Sequence, residues 1–408
     1  MNNNTHSICL VSCYVGRLPW YFQLFLKTCA ANPDVSFLFI TDNQCRMPIP
    51  ENVQWVVMQL EEIEQLARRK TGFNIPLQYA YKLCDIKPAY GVIFEHLLHE
   101  YDFWGHCDID IVFGNIRTFM TNELLREYDV ICVVPQYVTG FFTLFRNTEQ
   151  LNRLYTQSKD CRLVFESKKH YCFDECNHLF NYLKKGRSIF ELPSEVESMT
   201  HVIKKAAAEG QIRAYFNQFV IEARPGNMMW DHGALIISGK YEILLYHLIE
   251  FKQLKYYFFP FRKKIPERFY IERFYFCAYA PDSFPGRIYS GFYRLLTEAA
   301  KWLKTIRHNI FSSPGIKRSQ FSNPEQYSGT YTYLVPSRHR THISIVRNRL
   351  FVQFNKEQPL PLRHVKKNLF YCRKWNIEIE FGFSKTAEKI HLVGKSIFSE
   401  NASEEFLV

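Results

Sequence analysis

The feature that most constrains this chain is an alternation in its N-terminal third: short apolar runs that end in polar residues, separated by stretches of helical apolar spacing. Residues 8–14 (Ile-Cys-Leu-Val-Ser-Cys-Tyr) form such a run and stop at Val15, Gly16 and Arg17, and apolar residues then recur at helical spacing over 20–31. Residues 35–40 repeat the run and end at Thr41, Asp42 and Asn43. Residues 53–58 repeat it again, before a short charged helical stretch over 60–70. Runs apolar on both faces belong to buried strands, and strands alternating with helices build a mostly parallel, three-layer sheet with helices on both faces. The expected fold class is therefore α/β, with ligands at the carboxyl ends of the strands.

One stretch puts chemistry at that edge. Residues 101–114 read Tyr-Asp-Phe-Trp-Gly-His-Cys-Asp-Ile-Asp-Ile-Val-Phe-Gly, an apolar strand running into two acids one residue apart. In extended backbone alternate side chains share a side, so Asp108 and Asp110 are expected to converge while Ile109 faces the other way. A bare D-x-D is often a solvated turn. Here Phe103, Trp104, Ile111, Val112 and Phe113 flank it, and two unpaired carboxylates in such surroundings are costly without a counter-cation. Converging carboxylates make a hard oxygen site for Mn2+ or Mg2+, which takes its remaining ligands from water and substrate phosphates.

Other candidates follow in chain order. Residues 81–91 lead into a helix expected through about residue 99; Asp85 and Lys87 stand just before it, placed either to contact a nucleotide or as a cap and a surface lysine. A helix is expected over 121–128 and strands over 129–135 and 139–145. At 173–180 the adjacent acids Asp174 and Glu175 are expected to open an amphipathic helix, where acids are favoured on electrostatic grounds alone. Residues 234–237 and 241–245 suggest a hairpin. Beyond it, His247 and Lys252 combine an imidazole that could finish a metal shell with an ammonium that could neutralise a phosphate. His170, Cys172, Cys176 and His178 have soft-ligand types at close spacing, in a pattern that matches no common zinc arrangement.

A length of 408 residues implies two or three domains, and 47% hydrophobic with 22% charged residues implies globular ones. Charge divides them. Residues 1–250 hold 24 Lys and Arg against 28 Asp and Glu, whereas 251–320 hold 14 against 4 and 326–398 hold 13 against 4. The domains expected are a catalytic unit over 1–255, an aromatic and basic helical linker over 256–325, and a small antiparallel β-barrel or sandwich over 326–408, with strands at 329–335, 342–347, 349–354, 369–372, 377–383 and 390–393. Within the linker, 293–306 has helical apolar spacing with Arg294, Lys301, Lys304 and Arg307 interleaved, as on a peripheral helix at an anionic membrane or a packed connector. The basic residues form no obvious recognition helix, so nucleic acid is not an expected partner. No apolar run approaches the roughly 20 residues of a membrane span, and the N-terminus lacks a signal sequence, so the expected location is cytoplasmic, peripheral at most. Cys9, Cys13, Cys107 and Cys132 fall in apparent buried strands and read as free thiols.

Taken together, the apolar strand ending in Asp108-Ile109-Asp110, after an α/β region whose second strand ends Thr41-Asp42, resembles a GT-A nucleotide-sugar glycosyltransferase. The order of motifs is similar to the retaining glycogenin and lipopolysaccharide galactosyltransferase type and to bacterial proteins of polysaccharide loci, over roughly residues 5–255. The resemblance implies Mn2+ on Asp108, Asp110 and His247, with Lys252 on the diphosphate. It implies uracil and ribose near Tyr14 and Asp42, a donor-side helix start at Asp85 and Lys87, and a donor-sugar strand at Thr139 and Gly140. Asp174 and Glu175 correspond to the acidic segment near the reacting carbon. The histidine motif differs in lacking the family's internal glycine and its Lys-Pro-Trp ending, and Glu175 stands where the closer families have an amide.

The implied activity is hexosyl transfer from a nucleotide-diphosphate sugar, UDP-sugar first, to a glycan or lipid-linked acceptor in surface polysaccharide synthesis. Asp174 or Glu175 is the candidate base of an inverting reaction or the opposite-face group of a retaining one. The alternatives are a nucleotidyltransferase that makes the nucleotide sugar, and a catalytically inactive glycan- or membrane-binding protein. Cys13-Tyr14-Val15-Gly16-Arg17 is poor in glycine for the phosphate loop of the first.

Overall fold

The structure is a computed structural model that describes residues 5–217, 219–221, 226–253, 259–261, 264–273, 275–288, 290–292 and 295, and strand segments between 329 and 406. The chain divides into two units, 1–305 and 306–408.

The strands of the first unit are β1 (Ile8–Tyr14), β2 (Ser36–Thr41), β3 (Val53–Val57), β4 (Phe103–Cys107), β5 (Ile111–Phe113), β6 (Val130–Cys132), β7 (Phe142–Arg146) and β8 (Ala214–Phe216), then β9 (Val220–Ile221), β10 (Met228–Asp231), β11 (Ala234–Ile237), β12 (Tyr241–Glu242), β13 (Leu245–His247), β14 (Arg268–Ile271) and β15 (Phe276–Cys277). The main sheet has the order β3-β2-β1-β4-β7-β6-β8. Every pairing in it is parallel except the two that β7 makes. Order reverses between β1 and β4: from β1 the chain steps outward to β2 and β3, then returns to lay β4 on the other side. A crevice opens at such a switch point, beyond the carboxyl ends of the two strands.

Two cores explain why the sheet is covered on both faces. Ile8, Leu10, Phe37, Phe39, Phe103 and Cys107 point to one side with helix α1 (Phe22–Ala30). Cys9, Val11, Leu38, Ile40 and Trp104 point to the other, with helix α2 (Leu60–Thr71) and the helical segments between Leu83 and Leu98. The period of two assigns alternate residues of each strand to opposite cores. Helix α2 starts on a capping box between Gln59 and Glu62 and ends at Gly72, whose φ of +77° is the left-handed stop that glycine supplies.

Several local expectations differ from the structure. The D-x-D is not a continuous strand: β4 ends at Cys107 and the chain bends at Ile109 and Asp110, because β5 leaves the main sheet to pair antiparallel with β13. The helix expected over 90–99 is broken into Tyr90–Ile93 and Glu95–Leu98. Residues 173–178 are turns, not a helix opened by acids, because Asn177 and His178 adopt φ of +51° and +62°, which interrupts helical winding. The helix there is only Phe180–Leu183. The expected hairpin is present as β11 and β12, within the five-stranded sheet β12-β11-β10-β14-β15.

In the second unit, Gly329–Thr332, Arg340–Val346, Arg349–Phe354 and Leu360–Pro361 form one antiparallel sheet. Arg363–Lys366, Leu369–Cys372, Ile377–Phe383, Ile390–Ser396 and Ser403–Phe406 form another. The expected helix over 293–306 and the remainder of the expected linker to 325 lie almost wholly outside the described residues. Among the described residues no helix is long and apolar enough to cross a membrane.

Candidate active site

The crevice at the switch point holds two chambers. One, about 730 Å³ counted out to solvent, is walled by Ser12, Cys13 and Tyr14 at the end of β1 and by Tyr21, Tyr81 and Leu83. The other, about 1040 Å³, is walled by Tyr137, Gly140, Phe141, Asp174, Glu175 and His247. Tyr81, Cys84, Lys87, Asp108, Asp110 and Lys252 line both, so the partition is two acids and two lysines together with Tyr81 and Cys84.

Strand pairing assembles this row. Asp108 directly follows β4, and its N–H donates to the Phe141 carbonyl at 3.2 Å. The antiparallel register of β13 on β5 sets His247 opposite Ile111, one residue from Asp110, and the Leu248 N–H donates to the Asp110 carbonyl at 2.8 Å. His247 Nε2 then lies 3.3 Å from Asp110 Oδ2, with its ring 4.4 Å from that of Phe141. Lys252 projects from the short helix Ile249–Gln253 onto the same Asp110 oxygen. On the other side, Lys87 donates to Asp108 Oδ1 at 2.6 Å and to the Gly140 carbonyl at 2.8 Å, and its ammonium is 3.7 Å from Asp174 Oδ2.

Electrostatics divide the carboxylates. Burial pushes Asp110 up, but His247 and Lys252 outweigh it and hold the group well below the ordinary carboxylate range. Asp174 goes the other way: burial raises it strongly, Lys87 only partly opposes this, and Glu175, Asp85 and Asp108 add like charge. Glu175 is also raised by burial, against the Gly140 N–H that donates to its Oε1 at 2.8 Å. Burial lowers Lys87, yet Asp108 and Asp174 turn the net shift well upward, so it stays an ammonium.

Asp108, Asp110 and His247 offer one ligand atom each within 4.8 Å of one another. Two carboxylates with one imidazole suit Mn2+ better than Mg2+, which favours an all-oxygen shell. The soft cluster does not assemble: His170 Nδ1 is 3.2 Å from Asp85, Cys172 donates to Glu175 at 3.3 Å, and among the described residues no group of three metal ligands unites those histidines and cysteines.

Three other residues picked from the sequence line neither chamber. Asp42 accepts the Gly16 N–H at 2.9 Å and so shapes the loop after β1. Thr139 is fully buried, with its hydroxyl on the Phe142 carbonyl at 2.6 Å. Asp85 is fully buried behind the second chamber and paired with Lys82. Sequence reading passed over Lys82, Tyr81, Tyr137 and Lys184. Lys82 carried a signal: a cation three residues before an acid inside an apolar helical stretch is the spacing of an ion pair.

The profile of a family described as a family of unknown function (DUF6625) matches residues 10–278, which contain the whole site. No curated protein matches the chain.

Proposed function

The chain belongs to DUF6625, a family of unknown function, and from its site we propose a metal-dependent glycosyltransferase of GT-A type that moves a hexose from a nucleotide-diphosphate sugar, UDP-sugar first, to a glycan or lipid-linked acceptor. The observation that carries the reading is the partition. A nucleotide sugar is a nucleoside and a sugar joined by a diphosphate, and the crevice is two chambers joined by a partition that carries two lysines and the two acids of the candidate metal site.

The nucleoside fits the chamber of Tyr14 and Tyr21, and the sugar fits the chamber of Gly140, Asp174 and Glu175. Cleavage of the glycosidic bond builds negative charge on the departing β-phosphate, so cations fixed at that point lower the barrier. Asp108, Asp110 and His247 would hold a divalent ion, whose chemistry there is Lewis-acid neutralisation of the diphosphate. Lys252 adds an ammonium to the same end. Lys87 ties Asp108 to Asp174 and so fixes the sugar chamber relative to the diphosphate. Asp174 and Glu175 face the sugar as base or as opposite-face stabiliser. The basic segment over 251–320 suits an acceptor presented at an anionic membrane surface, with the enzyme peripheral on the cytoplasmic side.

A thermal-shift screen of nucleotide sugars with and without Mn2+, followed by release of nucleoside diphosphate, tests this. Stabilisation by a UDP-sugar that needs Mn2+, with turnover abolished by EDTA, is expected. Neither shift nor release with any nucleotide sugar would remove the reading. One observation favours the inactive binding protein instead: both acids of the D-x-D already hold a lysine ammonium. Calorimetry separates the two, since that protein binds glycan and ignores Mn2+.

A further inference from the structure

The acid-bearing turn combines a few internal hydrogen bonds, Asn177 N–H to the Cys172 carbonyl at 3.0 Å among them, with strained backbone. Cys172, just before Asp174, sits at φ +53°, and Asn177 and His178 follow at positive φ. Side chains with a Cβ rarely rest there unless the surroundings impose it. The turn's C-terminal half is held by Asn177, whose side chain bonds Tyr171, Ser194 and Glu195, and its N-terminal half by one buried carboxylate. Asp85, on helix α3 (Leu83–Ile86), accepts the Phe173 N–H at 2.9 Å and the Tyr171 N–H at 3.0 Å, and lies 3.2 Å from His170 Nδ1. Its charge is met by Lys82, also fully buried, whose ammonium donates to Asp85 at 2.8 Å and to the carbonyls of Val164 and Lys169 at 2.8 and 2.7 Å. All three donors of that ammonium are used, and both carboxylate oxygens are engaged. From the far side, Met199 and Thr200 hold the Phe173 and Glu175 carbonyls at 2.8 and 3.0 Å.

The pin and the working lysine share one stretch of chain. Lys87 lies two residues beyond Asp85 and reaches Asp108 and Asp174 in the crevice. We propose that Asp85, neutralised by Lys82, is the positioning residue of this site: it fixes the turn carrying Asp174 and Glu175 at a set distance from Lys87 and the D-x-D. The proposal rests on the glycosyltransferase reading for its catalytic consequence, but the hold itself is measurable without turnover.

Hydrogen exchange on the full-length protein, read at single amides, comes first. In the wild type the Tyr171 and Phe173 amides exchange as slowly as Gly105 in β4, and in Asp85→Asn they exchange at least about tenfold faster while Gly105 is unchanged. Fast exchange in the wild type, or no response to Asp85→Asn, overturns the proposal. Kinetics with a UDP-sugar and Mn2+ come second: kcat falls about 10²-fold, the size of loss that a misplacement near 1 Å produces, while KM for the donor stays within about twofold. A raised KM with unchanged kcat would place Asp85 on the donor instead, and lowered thermal stability with unchanged kcat would make it merely structural; either overturns the proposal. If Asp85→Asn does not fold, Lys82→Met with Asp85→Leu removes the buried charges together and is read the same way. Absence of wild-type turnover with every donor sinks the glycosyltransferase reading alone, since the exchange rates still decide whether Asp85 holds the turn.

Discussion

The Lys87 ammonium stands 2.6 Å from Oδ1 of Asp108, yet the Lys87 side chain is 8% exposed while that of Asp108 is 36% exposed. The lysine grips the acid from inside the protein and leaves much of the carboxylate facing the crevice. A ligand ion can therefore approach Asp108 without displacing Lys87.

Removing that acid or its neighbour should separate metal binding from folding. Asp108→Ala and Asp110→Ala are expected to lose Mn2+-dependent nucleotide binding by calorimetry and to lower turnover by at least about 10²-fold. Asp108→Ala should keep the fold, because the Asp108 side chain is partly exposed and Lys87 retains the Gly140 carbonyl and Asp174. Asp110→Ala exposes Lys252 and His247 to loss of their partner and should cost more. Near wild-type turnover in EDTA would contradict both.

Gly140 is required for a close approach. A Cβ there would collide with the Asp174 carboxyl and come within 3.2 Å of Glu175 Cγ. Gly140→Ala should destabilise the fold by about 1–3 kcal/mol, as overpacking does, and reduce turnover more than it reduces Mn2+ binding. Equal losses of both would show that the strand, not the acids, was displaced.

Lys82→Met leaves Asp85 buried without its counter-charge. Breaking a buried pair from one side costs about 3–5 kcal/mol, and a denaturant midpoint shift of that order is expected. Adding Asp85→Leu should recover part of the loss, which a double-mutant cycle would measure.

His201 gives an acid-sensitive contact. The helix Met199–Ala208 starts on a capping box in which the Ser198 N–H donates to His201 Nδ1 at 3.1 Å. Burial, and then Lys159 acting against Glu197, hold the imidazole below its ordinary value near 6.5. The unfolded chain thus takes up the proton first, so this contact contributes fully above about pH 6.5 and its contribution falls as pH drops below that. Urea midpoints at pH 7.5 and 5.5 should show the drop, and His201→Gln, which keeps a cap of the same kind, should flatten it. An equal drop in the variant would assign the acid sensitivity elsewhere.

Much of the frame was legible because burial imposes periodicity. The runs at 8–14, 349–354, 369–372 and 377–383 are strands with those bounds, since residues apolar on both faces, or alternating, have few other places to go. The acid turn was misread because acids before an apolar run look the same whether a helix follows or not. What decided against the helix was left-handed backbone at Asn177 and His178, held by contacts distant in sequence, such as the Asn177 side-chain oxygen Oδ1 accepting from the Ser194 hydroxyl and the Glu195 N–H.

The sequence by itself determined a parallel α/β sheet and a pair of acids at the end of a buried strand, because both follow from local spacing and the cost of stranding charge. Only the tertiary structure decided which charges meet: His247 and Lys252 come to Asp110 through the pairing of β13 with β5, and Asp85 turns away from the crevice to Lys82 and the 171–173 backbone. Those outcomes depend on strand order and on which buried carboxylate finds which ammonium. Such choices are made across 130 residues or more in the first case and by a few ångströms of packing in the second, and no local pattern encodes them.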